Sequence, residues 1–572
     1  MRSQDCEFCA LLLNACTPER MPFGEPDPIK LRSLRSGLAI DGALTRVLSI
    51  CKNHANDPSS NGHPEDIQLG LPVLPRIDSP AYYTILSRWL EDCEKHTKCC
   101  PDNLTPVPSR LPTRLINVRR KGSTEVLLSD TSRWSTSRAE GVRYIALSHP
   151  WGDAKYHTHF STTTKNIDDR LEKGIIYDEL PATFKDAVKV TRELGIHYLW
   201  IDSLCIIQGD DGDFEDEAKH MEAVFSSAYC VIAASRASGT SAGFLKQRPD
   251  RKFVEFQDSL KNPFVVCEAI DDFQHDVIDG ALNKRGWVLQ ERALARRTIY
   301  FAEKQTYWEC GDGIRCETLT KMTNNKAAFL GDPNFPQAAT TQTKGAQIRL
   351  YESLYKQYST LEFSKAYDRP IAIAGLEQRL IRAFGKQGGY GIFERYFGRT
   401  LLWQRDLKMG DEPMKAIEFP PQQQYRVPTW SWMRYEGGIT FMDLPFSGVQ
   451  WEDDSQIRSP WAANNASSSH WHTGDSEGRI HLTARVRDFD LGLAEKEIAF
   501  DKVITPRDRA MKCVVIGSQK SEAAPDVKTR KHYVLIVAPM HGDAETYERL
   551  GVGSLCGSWI ALDVGGLKVH IS

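Results

Sequence analysis

Two groups of cysteine and histidine residues have spacings suited to holding a soft metal ion. Cys6 and Cys9 are separated by two residues, and Cys93, His96 and Cys99 follow one another at the same interval. Such spacing lets a turn or a helix end point several ligands to one side, and thiolates with an imidazole favour a tetrahedral ion such as zinc. A site made of Cys6, Cys9, His96 and Cys99 would be structural, because four protein ligands leave no position open for water. The competing reading makes Cys93 part of an apolar helix stripe and leaves Cys6 and Cys9 as ordinary thiols.

A second set of residues could do acid–base or ligand chemistry. Asp202 ends the unbroken run Tyr198-Leu199-Trp200-Ile201, and Ser148, His149, Trp151 and Gly152 end the run beginning at Tyr144. A carboxylate at the carboxyl end of a buried strand can act on a ligand, or its oxygen can cap the next turn. Ser148 and His149 are adjacent, so in a strand they face opposite sides and do not make a nucleophile and base for one another. Trp151 either closes a turn or stacks on a base. Arg285, Gln290, Glu291 and Arg292 form the densest polar group further on. Glu291 would be a ligand carboxylate, or it and the arginines would pair with other elements, for example Arg285 with Asp202.

The elements that must position these groups are legible as alternating helices and strands. PATFKDAVKVTRELG opens with Pro181 and keeps Phe184, Ala187, Val188, Thr191 and Leu194 on one stripe before Gly195. The strand at Tyr198, a helical stretch FEDEAKHMEAVFSSA and the strand YCVIAAS follow. Runs of this kind predict an α/β fold with a mixed or parallel sheet flanked by helices. We expect an N-terminal region over 1–110 with a helix at 81–95 and a polar loop at 52–80, then an α/β core over 140–310. A mostly helical extension over 311–440 should end in a Trp-rich strand, RVPTWSWM. A loop tract at 453–478 and a β-rich unit should fill 441–572.

Composition narrows the class. With 572 residues, 26% charged and a net charge of -3, neither a basic field for nucleic acid nor an acidic, disordered chain is indicated. No apolar run has the roughly 18 residues of a membrane span. Fourteen cysteines in so long a chain fall short of disulfide-scaffold density. Together these features predict an intracellular, cytoplasmic protein. The acidic run from Asp210 to Glu217 lacks EF-hand spacing and reads as a solvated helix start.

Three blocks in series resemble the fungal heterokaryon incompatibility (HET) domain: Tyr144 to Gly152, Leu199 to Gln208, and Arg285 to Phe301. The likeness extends over roughly residues 81 to 435. Ile207 stands where the family usually has asparagine. The resemblance implies a role in self/non-self recognition, with programmed death of fused cells and activity released by a protein partner or by self-assembly. It also implies a TIR-like fold. Some TIR domains cleave NAD, so the resemblance carries a second expectation, NAD as substrate with Asp202, Glu291 and Trp151 lining one open crevice. A binding module without catalysis is the third.

Overall fold

The computed structural model describes residues 6–16, 30–34, 37–41, 46–52, 71–96, 99, 111–153, 155–156, 159–322, 343–409, 413–420, 426–461, 480–502, 509–520, 526–540 and 543–572. Most of the expected loops at 52–80 and 453–478 lie outside them. The chain divides into two compact units, residues 1–284 with 291–335, and residues 285–290 with 336–572.

In the first unit, four strands pair in parallel at the centre of a ten-stranded sheet: β6 (Tyr144–Ser148), β9 (Tyr198–Trp200), β11 (Cys230–Ala233) and β14 (Arg297–Phe301). Every residue of β6, β11 and β14 is buried, as expected where both faces of a sheet are covered. Antiparallel ribbons extend both sides. One comprises β4 (Arg114–Asn117), β5 (Glu125–Asp130) and β8 (Ile175–Ile176), and the other β15 (Thr306–Cys310), β16 (Gly313–Cys316) and β17 (Lys321–Met322). The sheet is therefore mixed.

Helices form where the sequence supplies both a stripe and a start signal. Helix α2 (Pro80–Glu94) begins with Ser79, whose hydroxyl accepts from the Tyr82 N–H at 3.2 Å, and buries Tyr82, Leu86, Trp89, Leu90 and Cys93. Helix α3 (Ala182–Glu193) buries Phe184, Ala187, Val188 and Thr191, and Gly195 turns the chain at φ +72° into β9. A separate five-stranded sheet joins β1 (Leu31–Leu34), β2 (Gly37–Ile40) and β3 (Arg46–Lys52) to β13 (Pro263–Glu268) and β12 (Phe253–Gln257). Helix α1 (Glu7–Ala15) covers it through Leu11 and Ala15.

The second unit has helices α6 (Lys344–Ser359) and α7 (Ala374–Phe384) and a β-rich C-terminal region. Its principal strands are β20 (Leu482–Arg487), β22 (Lys512–Gln519), β23 (Lys531–Met540), β24 (Asp543–Cys556) and β25 (Leu567–Ile571). They pair in that ring order from β22 through β25 to β20 and back to β22, which makes the region barrel-like. The fourteen-residue β24 is the longest of these strands, and a 3-10 turn at Gly557–Trp559 follows it. Its residues Gly551 and Gly553 let a neighbouring strand come close. A Cβ at Gly551 would lie 2.4 Å from the Ala499 carbonyl oxygen. The Trp-rich segment is no strand either. Ser431 accepts from the Met433 N–H at 3.0 Å and donates to the Tyr390 carbonyl at 2.7 Å, which curls Trp432–Arg434 into a 3-10 turn with Trp430 and Trp432 fully buried.

Two carboxyls of this unit tie its stability to pH. Burial pushes Glu377 from its ordinary 4.5 up to about 7, although it accepts from the Gly391 N–H at 2.7 Å and the Tyr355 hydroxyl at 3.0 Å. Burial likewise pushes Asp368 up to about 6. A carboxyl raised in the folded state holds its proton better there than when unfolded. Its contribution is complete below the unfolded value and is lost as pH rises through the folded one. Denaturant titrations should therefore show stability falling between pH 4.5 and 7, and Glu377→Gln should flatten that slope.

Candidate functional site

Parallel register brings the first two motifs to one sheet edge. Ala146 of β6 lies opposite Trp200 of β9, so Ser148 and Asp202, two residues further on, emerge level with each other. Beyond β6, Gly152 adopts φ +83°, a left-handed turn that carries the chain away after Trp151. Trp151 Nε1 donates to Asp202 Oδ2 at 2.8 Å, and the other oxygen accepts from the Ser203 N–H at 2.7 Å. His149 is buried, its Nδ1 3.9 Å from Asp202 and its ring edge-on to Phe184 at 5.1 Å.

The loop after β9 is fixed from behind. Asp202–Cys205 forms one helical turn, α4, whose Leu204 carbonyl accepts from Thr162 at 2.6 Å and whose Cys205 carbonyl accepts from Arg114 Nε at 2.7 Å. Asp213 pairs with Arg114 and accepts from the Ile207 N–H at 2.7 Å, so one member of the acidic run holds the loop while Asp216 stays outside with Lys219.

This edge presents a carboxylate that keeps 29% of its side-chain exposure, beside a buried imidazole and a half-buried indole. The Ser148 and Ser203 hydroxyls are buried with no hydrogen-bond partner among the described residues. Ser148 is thus not held by His149, in keeping with their opposite facing. Unsatisfied buried hydroxyls are costly in a folded chain and mark this edge as unusual.

The third motif is placed differently from the expectation of a salt bridge to Asp202 or Glu291. Within helix α5 (Gly286–Leu294), Arg292 pairs instead with Glu309 of β15, in two bonds of 3.0 and 2.7 Å, and the Tyr300 hydroxyl donates to the same carboxylate at 2.7 Å. Burial alone would favour the neutral guanidine, but the Glu309 charge holds Arg292 above its ordinary value. Glu291 is buried. Gln290 Oε1 accepts from the N–H groups of Gly375 at 2.8 Å and Leu376 at 3.2 Å, which caps the start of α7. The backbone of Arg285 makes an isolated parallel β-bridge with that of Glu362, and Gly286 is required there because a Cβ would meet the Phe363 ring at 1.9 Å. Asp202 thus meets Trp151 and keeps part of its exposure, and Glu291 is buried.

The metal-type residues separate into two places. Cys6 and Cys9 cap and begin α1, where the Cys9 N–H points at Cys6 Sγ at 3.4 Å. His96 and Cys99 meet Cys93 and Cys310 instead, with all ligand atoms within 4.8 Å of one another. Hydrogen bonding among the three thiols pushes Cys93 up and holds Cys310 down. Cys310 is the last residue of β15. The one signal for it in the sequence is a cysteine at the end of a strand, followed by a glycine turn.

Two stability measurements test this description. Arg292 and Glu309 are 5% and 3% exposed, so truncating either strands a buried charge. Each single change should cost on the order of 3 to 5 kcal/mol in urea unfolding, with strong coupling in the double mutant. Trp151→Phe keeps the ring but removes the donor to Asp202, and should cost about 1 kcal/mol, with no further loss when Asp202→Asn is added.

The motifs now gathered at one sheet edge coincide with a known family. The family description "Heterokaryon incompatibility protein (HET)" matches residues 144–291. Among curated proteins, heterokaryon incompatibility protein 6, OR allele, of Neurospora crassa is 32% identical over 97 residues, which are 16% of this chain and 14% of that protein's length. No solved structure matches. Over residues 144–291 the chain is similar to the heterokaryon incompatibility (HET) family, and the likeness to known proteins rests on that part of it.

Proposed function

We propose that this chain acts in fungal heterokaryon incompatibility as a cytoplasmic signalling and death-effector protein, restrained until a partner chain or self-assembly releases it. The observation that carries this reading is the HET match over 144–291, whose first two motifs are bonded together at the sheet edge by Trp151 and Asp202. The named relative supports the same process. Parallel strands at the centre of the sheet suit the TIR-like likeness the family implies. The buried, unpartnered hydroxyls of Ser148 and Ser203 fit an edge whose partners arrive with the activating event. No helix among the described residues is long and apolar enough to cross a membrane.

Inducible expression in a filamentous fungal host tests the proposal. Raised levels of the wild-type chain should cut viability by mass action, and Asp202→Asn or Trp151→Ala, shown to be folded, should restore growth. Unimpaired growth with abundant, folded wild-type protein would overturn it. Release of nicotinamide from NAD by the purified chain would replace the signalling reading with a catalytic one.

A further inference from the structure

We propose that Cys93, His96, Cys99 and Cys310 bind one zinc ion as a structural, four-coordinate site. Three observations within the first unit support it. The first is distance. Zinc bonds of about 2.3 Å to sulfur and about 2.0 Å to nitrogen, at tetrahedral angles, set sulfur and nitrogen about 3.6 Å apart. His96 Nε2 lies 3.6 Å from Cys310 Sγ and 3.8 Å from Cys99 Sγ. The second is chemistry. Three thiols and one imidazole are a borderline-soft set that suits zinc, and oxygen-preferring ions are not served by it.

The third is the surrounding backbone. Cys310 ends β15, and the tight turn after it aims the Gly311 N–H at Cys99 Sγ at 3.1 Å and the Asp312 N–H at Cys310 Sγ at 3.5 Å. Amides directed at sulfur compensate thiolate charge, which is what a bound thiolate site needs around it. Cys93, Cys99 and Cys310 are buried and His96 is half-buried, so the set is closed and leaves no position for water or substrate.

The site joins parts of the chain that are far apart in sequence. His96 and Cys310 are 214 positions apart. The same seam carries Trp89 against Trp308 at 6.4 Å, Arg315 on Asp92 at 3.1 Å and the Tyr82 and Thr306 hydroxyls at 2.7 Å. Zinc would fasten the end of α2 to the β15–β16 hairpin, and its binding energy would become folding energy for the unit.

Elemental analysis of the purified, reduced full-length chain should find one equivalent of zinc, released as a mercurial reagent titrates the thiols. Cobalt substitution should give the visible bands of tetrahedral thiolate coordination. Chelation should lower the unfolding temperature by several degrees. Cys310→Ser, Cys93→Ser and His96→Ala should lose the metal. His96→Cys should retain it, and so should the double variant Cys6→Ser, Cys9→Ser. Should the cysteine variants fail to fold, the wild-type cobalt spectrum and the Cys6, Cys9 variant still decide. A folded wild-type chain that holds no zinc and takes up no cobalt overturns the proposal, as does loss of metal from the Cys6, Cys9 variant.

Discussion

Parallel pairing of β6 with β9 is the constraint from which the edge carrying Ser148 and Asp202 follows. Both strands are covered on both faces, so their backbone groups have no water to turn to and must be satisfied within the sheet. Once Tyr144 is set against Tyr198, the residues after each strand have only one place to go. Ser148 and Asp202 come out level, Gly152 turns back, and the indole of Trp151 falls within reach of the carboxylate. A slip of one residue in this register would invert the facing of every side chain and separate that pair.

What could be read in advance follows from the range of each interaction. The helices starting near Ser79 and Pro181 and the strands ending at Ser148 and Trp200 rest on local patterns, which a sequence displays directly. The Trp-rich segment misled because its apolar residues alternate as in a strand, whereas Ser431 bonds to nearby backbone and curls it. Strand β24 was hidden for the opposite reason. Its Gly551 and Gly553 weaken the strand pattern but are demanded by a neighbour's close approach. The partner of Arg292 was not readable either, since nothing in the third motif points to Glu309, which the β14–β15 hairpin brings back to it.

The cysteines show the same limit in a sharper form. Spacing alone identifies Cys93, His96 and Cys99 as a set that one helix end can present, and Cys93 belongs at once to the apolar stripe and to the group of thiols. A fourth ligand has to come from elsewhere, and the nearest candidates by motif, Cys6 and Cys9, are drawn off by the apolar face of α1 onto the five-stranded sheet. Cys310 has no companion at a telling interval. Its place is decided by the antiparallel pairing of β15 with β14 and β16, which carries the end of β15 toward the end of α2.

Ile207 stands where the resembling family usually has asparagine, and the loop around it is held by other groups. An asparagine there would offer its amide to the loop, and isoleucine offers none. The backbone N–H of residue 207 is nonetheless present whatever the side chain, and Asp213 accepts it at 2.7 Å. Asp213 is also paired with Arg114, whose Nε holds the Cys205 carbonyl at 2.7 Å. Arg114 belongs to β4, the antiparallel neighbour of β9, so the loop that carries Asp202 is anchored to the sheet through charge and backbone. The anchoring of this loop therefore runs through backbone and charge and makes no use of the side chain at 207.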